Sequence, residues 1–183
     1  MTTVRPDLSA YFVSISPHLT NQLELQQRTV STLKGLYYEN RSSRTSTALN
    51  LHAIQAELAR LAQRVIAVRT PGTLVAAGSA HVRTIQQLGS AAGELGEALS
   101  GEPAGRVQRI GRALTLALEA ESSARTSTQS IRAALDPAAA DIPIIGSIIA
   151  AILGAIAAII VLIGTILSKA KEEEAEEKEK HRP

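Results

Sequence analysis

Residues 142–168 read IPIIGSIIAAILGAIAAIIVLIGTILS, 27 consecutive positions without a charge, of which eleven are isoleucine. A bilayer core of roughly 30 Å takes about 20 helical residues, and uncharged runs this long are membrane spans more often than core helices of soluble proteins. Each central Ile, Leu or Val favours insertion by about 0.3 to 0.6 kcal/mol, so the run as a whole favours the membrane by several kcal/mol. The competing reading is a central helix of a soluble bundle. It requires neighbours on every side, because the segment has no polar face.

Outward from this run the composition changes abruptly. Residues 169–183, KAKEEEAEEKEKHRP, carry 11 charges in 15 positions. Glu174 with Lys178 and Glu176 with Lys180 are i,i+4 pairs in the favourable order, so the tail reads either as a charged helical stalk continuing the apolar helix or as a disordered solubilising end. On the other side, the apolar positions of residues 17–136 alternate threes and fours as in helices packed side by side. Leu19, Leu23, Gln26, Val30, Leu33 and Tyr37 form a first stripe, and Leu51, Ile54, Leu58, Leu61, Val65 and Val68 form a second, the cleanest of the set. A third runs through Leu74, Gly78, His81, Ile85, Leu88, Ala92, Leu95 and Leu99. A fourth runs through Val107, Ile110, Leu114, Ala117, Glu121, Ala124, Thr128, Ile131 and Leu135.

Punctuation falls between the stripes. Ser16-Pro17 and Thr70-Pro71 each set a capping hydroxyl before a proline at a first helical position, which predicts two helix starts. Residues 40–47, NRSSRTST, and Gly101-Glu102-Pro103 read as connections, Asp136-Pro137 ends the fourth helix, and Asp141 caps the apolar one. No window alternates apolar and polar residues in the manner of a strand. The expected fold is therefore all-α: an antiparallel bundle of about four long, heptad-patterned, coiled-coil-like helices over 1–140, a very hydrophobic helix over 141–168, and a charged tail over 169–183.

Several chemistries have no material here. Lys and Arg number 19 against 17 Asp and Glu, a net charge of +2, which makes no electrostatic case for a nucleic-acid partner. There is no cysteine, and the aromatic residues are Tyr11, Phe12, Tyr37 and Tyr38 alone, so thiol chemistry and base-stacking platforms are excluded. His18, His52 and His81 have no second histidine or carboxylate at the spacing of a helical metal site, and no phosphate loop or nucleophile elbow occurs. The expectation is a protein that is not an enzyme and carries no catalytic, cofactor or metal site. His81 falls on an apolar stripe and reads as a core histidine with a backbone partner. Glu121 sits at a core-type position and needs either an arginine from a neighbour or a helix rotated to expose it.

The small residues carry more information. Gly146, Ala150, Gly154 and Ala158 stand four apart, with Ser147, Ala151 and Ala155 beside them, a glycine-zipper-like stripe of the kind that lets helix backbones approach closely in lipid. Ser147, Thr165 and Ser168 are the hydroxyls available to line a lumen. In the third segment Gly78, Gly89, Gly93 and Gly96 each cost about 1 kcal/mol relative to alanine, marking either close packing or an element kept marginal so that it can rearrange.

Topology poses a conflict. Lys169, Lys171, Lys178, Lys180 and Arg182 follow the apolar run, against Arg125 and Arg132 before it, which keeps the tail cytoplasmic and would place the bundle outside. The opening MTTVRPDLSAYFVSIS nevertheless lacks the pattern of a signal peptide. A tail-anchored span, a re-entrant segment, or a soluble form that inserts at a target membrane each resolves this. The layout of long helices with one apolar segment resembles α-helical pore-forming toxins in architecture, without a shared motif. The expected function is a membrane-inserting protein that homo-oligomerises through the small-residue face and permeabilises a lipid bilayer. The alternatives are a membrane-anchored scaffold that binds a protein partner through its bundle, and a soluble helical assembly that buries the apolar helix between subunits.

Overall fold

The computed structural model describes residues 6–37, 43–134 and 143–183. Helices α1 (Pro6–Tyr37), α2 (Arg44–Ile66), α3 (Val75–Ser100), α4 (Arg106–Ala134) and α5 (Pro143–Lys180) account for most of them, with a single 3-10 turn at Gly72–Leu74. Each helix packs on its neighbours in sequence, and α5 returns against α1, so the five close into a ring. Arg28 of α1 meets Glu57 of α2, and Gly96 of α3 lies against His52 of α2 while Gly89 lies against Leu58; successive helices run antiparallel. Gln26 meets Ile152 and Tyr37 meets Lys169, which makes α1 and α5 parallel.

The first helix begins eleven residues before the predicted start at Pro17, which lies inside it. Proline in a helix interior removes one hydrogen bond and costs about 3 kcal/mol. Tyr11, Phe12 and Ile15 offset that cost, being 3 to 4 % exposed, with the Tyr11 and Phe12 rings in edge contact at 5.5 Å. Pro6, at the first helical position, is the one that begins the helix. Part of the predicted first connection is also helical. Ser43 is the N-cap of α2, and its side chain accepts from the Ser46 amide. The turn before α4 uses Gly105 at φ +83°, a conformation glycine adopts without strain. Leu135, Asp136-Pro137 and Asp141 lie outside the described residues.

Most of the predicted stripes become the core. Leu51, Ile54, Leu58, Leu61 and Val65 of α2 and Leu74, His81, Ile85, Leu88, Ala92, Leu95 and Leu99 are all buried. Glycines of α3 face α2: a Cβ on Gly93 would stand 2.5 Å from Gln55 Nε2, and one on Gly96 2.8 Å from the His52 ring. Gly89, Gly93 and Gly96 thus pack closely on α2, while Gly78 lies against Thr70, whose Cγ2 a Cβ there would approach to 3.2 Å. In α4, buried Ala113, Ala117, Ala120 and Ala124 form a narrow seam that brings its neighbours near. Glu121 is half-buried and takes Arg125 of its own helix at 2.7 Å.

Candidate functional site: the two faces of α5

Helix α5 runs unbroken from Pro143 to Lys180, so the apolar run and the charged tail form one rod of about 57 Å at 1.5 Å per residue. It is long and apolar enough to cross a membrane, with a mean hydropathy of 2.8 over its most apolar stretch, of which 33 % is buried. Neighbours cover one side only.

That side is sorted by size. Ile145, Ile152, Ile156, Ile159, Leu162, Ile163 and Ile166 are buried against α1 and α4. The opposite side carries no isoleucine or leucine. Gly146, Ser147, Ala150, Ala151, Gly154, Ala157, Val161 and Ser168 are exposed there, with Ala158, Gly164 and Thr165 half-buried at its margins. Of the predicted self-association residues, Gly146, Ser147, Ala150, Ala151 and Gly154 therefore share the outward face, and Ala155 and Ala158 are half-buried at its edges. A Cβ on Gly146, Gly154 or Gly164 would meet nothing within 4 Å. This arrangement hides the large side chains against α1 and α4 and leaves outside those with little apolar surface. Of the three predicted lumen hydroxyls, Ser147 and Thr165 lie five helical turns apart on one face, and Thr165 and Ser168 donate to Val161 O and Gly164 O of their own helix.

The groove under α5 is partly polar. Gln22 of α1 and His81 of α3, both buried, meet at 2.7 Å between Oε1 and Nε2, so the core histidine has a side-chain partner in place of the expected backbone one. Gln26 donates from Nε2 to Ile152 O in the N-terminal third of α5 at 2.9 Å. Gln22 Nε2 and Gln26 Oε1 are buried without a partner. Ser127 of α4 donates to Ala77 O of α3. Gln22, His81, Ser127 and Thr128 share with Ile149, Ile152 and Leu153 the walls of a cavity of about 30 Å³, room for one water-sized group. Burial, reinforced by His18, lowers His81 to about 4, so it is neutral at pH 7. Periodicity alone does not reveal this layer. Gln26 and Thr128 lay on predicted stripes as their polar exceptions, whereas Gln22 and Ser127 lay off them.

The unpartnered Gln26 oxygen has a measurable consequence. Ile152 O already belongs to the α5 helix, so Gln26→Met removes a buried orphan acceptor at little loss and is expected to stabilise the protein by about 1 kcal/mol. The guanidinium midpoint checks this, and a lower midpoint would mean that the amide bond holds α5 in place.

Among the described residues no group of three or more His, Cys, Asp or Glu side chains is placed to hold a metal ion. No known protein family matches the chain, and no curated protein or solved structure is detectably similar to it.

Proposed function

We propose that the protein inserts α5 into a lipid bilayer and self-associates there through the small-residue face, permeabilising the membrane, and that the ring of five helices is its water-soluble, docked state. The observation that carries this reading is the division of α5 into a buried isoleucine face and an uncovered face centred on Gly146, Ala150 and Gly154. The docked state hides what water disfavours and leaves out what helix pairing in lipid requires. A two-state docking also removes the topology conflict, because the chain reaches the membrane from the side on which it is dissolved. Departure of α5 uncovers Gln22, Gln26 and Thr128 on α1 and α4, which α5 separates; polar groups in the vacated groove lower the cost of opening it.

Release of an entrapped self-quenching dye from phosphatidylcholine–phosphatidylglycerol vesicles tests this with the full-length protein. Release is expected from the native chain. Gly154→Ile is expected to abolish it while leaving the thermal midpoint in buffer nearly unchanged, because the new side chain points into open space in the docked state and into a partner helix in lipid. Vesicles that stay intact with protein bound would overturn permeabilisation and favour the membrane-anchored scaffold.

A further inference from the structure

At the end of the ring where α2 and α4 begin, a cavity of about 290 Å³ opens beside α5. Its floor is apolar, built from Leu36, Leu99, Ile110 and Ile166. Its rim is cationic: Arg44 and Arg106 are the first helical residues of α2 and α4, and Lys169 is the first charge after the apolar run. The two helix N-termini add their own positive ends to the three side chains. Lys169 is held in place over the Tyr37 ring, 5.3 Å from its centroid. Arg106 donates from Nε to Ala98 O at 3.0 Å and has no carboxylate within ion-pair distance among the described residues. Partial burial, and then the charge of Arg44, push its guanidinium below the ordinary value, while Glu173 and Glu177 of α5 pull the other way without pairing with it. One carboxylate also stands on the rim. Glu173, from the charged part of α5, reaches Arg44 Nη2 with both oxygens, at 2.9 and 3.2 Å.

We propose that this cavity binds a phosphate group, with Arg44, Arg106 and Lys169 as its ligands, and that Glu173 is the internal carboxylate the phosphate displaces. A phosphate carries more charge and more acceptor oxygens than one carboxylate, and three cations around it leave no counter-charge unmet. The apolar floor continues toward the isoleucine face of α5, where Ile166 belongs to both, so an acyl-bearing phosphate lays its tail along the surface that α5 itself uses. Displacing Glu173 breaks the ion pair that ties the end of α5 to the start of α2. The site rests on the membrane reading only for the origin of the phosphate; its geometry does not depend on insertion.

The test measures binding, not leakage, with full-length protein. One arm follows co-sedimentation with vesicles of phosphatidylcholine alone or mixed with phosphatidic acid; the other follows the thermal midpoint in inorganic phosphate against chloride at equal ionic strength. Arg44→Gln and Arg106→Gln are each expected to weaken binding tenfold or more, Arg106→Lys to retain it, and Glu173→Gln to strengthen it several-fold by removing the competitor. Opposite signs at Arg44 and Glu173 separate a ligand site from a structural ion pair, whose two halves would change stability in the same direction. Variant-dependent binding to phosphatidic acid vesicles identifies a lipid headgroup, and the same dependence confined to inorganic phosphate identifies a soluble one. Binding in neither arm, or Glu173→Gln failing to strengthen it, would overturn the site. Dye release bears on permeabilisation alone, so either proposal can fail without the other.

Discussion

Between pH 6.5 and pH 4 the docked protein is expected to lose about 3 kcal/mol of stability through His81 alone. In the folded chain this imidazole is 7 % exposed, and its proton affinity is depressed to about 4 by burial and by His18 across the α1 interface. Once released to water it returns to the usual value near 6.5. Above pH 6.5 both states are neutral at this position and no stability depends on it. Below that, the unfolded or undocked chain takes up a proton that the docked one refuses, so stability falls with pH until about 4 and then levels off. A series of denaturation midpoints from pH 7 to pH 4 checks the slope, and His81→Met is expected to flatten it, from a lower starting stability because Gln22 Oε1 loses its partner. His81 stands in the layer directly beneath Ile149, Ile152 and Leu153, so vesicle leakage is expected to rise over the same interval. A flat stability profile for the native protein would remove His81 from any part in releasing α5.

Ile163→Ala is expected to destabilise the protein in detergent-free buffer by about 3 to 4 kcal/mol, whereas Val161→Ala, two residues away on the same helix, changes it by less than about 0.5 kcal/mol. Ile163 is 0 % exposed in the ring core and Val161 is 64 % exposed on the outward face. Truncating the first opens a cavity between α5 and the helices it packs on; truncating the second removes a side chain from water. In a bilayer the distinction vanishes, because both side chains face lipid or a neighbouring copy and each loses a comparable amount of transfer energy. Chemical denaturation monitored by circular dichroism measures the contrast. Equal effects at the two positions would mean that α5 does not dock as the structure has it.

These two expectations bear on the same balance from opposite sides. Isoleucine burial holds α5 down, while the buried and incompletely satisfied Gln22 and Gln26 weaken the hold, and His81 is expected to make it depend on pH. A fully apolar groove would bind the helix more tightly. Gln26→Met is a small step in that direction, and its expected stabilisation is the counterpart of the loss at low pH.

Much of the architecture is legible along the chain. The second and third stripes become α2 and α3 almost residue for residue, because soluble packing imposes a period that hydrophobicity reports directly. The charged tail reads equally as a stalk or a disordered end until the structure continues α5 through it to Lys180, whereas the uncharged run and its small residues at intervals of four are plain in the letters. The helix start at Pro6 is not: Pro17 signals a beginning locally, and the packing of Tyr11, Phe12 and Ile15 overrides it at a distance. The seating of α5 is hidden for a related reason. A helix apolar all round has no polar face to point outward, so its orientation follows from the size of its side chains against the groove that α1 and α4 present. The cationic cavity and the Gln22–His81 pair are hidden more deeply still. Arg44, Arg106 and the α5 residues Lys169 and Glu173 come from three stretches separated by tens of residues, and only the closing of the ring brings them together. Hydrophobic periodicity along the chain is enough to predict the helices of the described residues and the segment long and apolar enough to cross a membrane. Tertiary structure decided which face of that segment meets the bundle and which charges meet one another, because periodicity specifies faces, and partners are chosen only when helices distant in sequence pack.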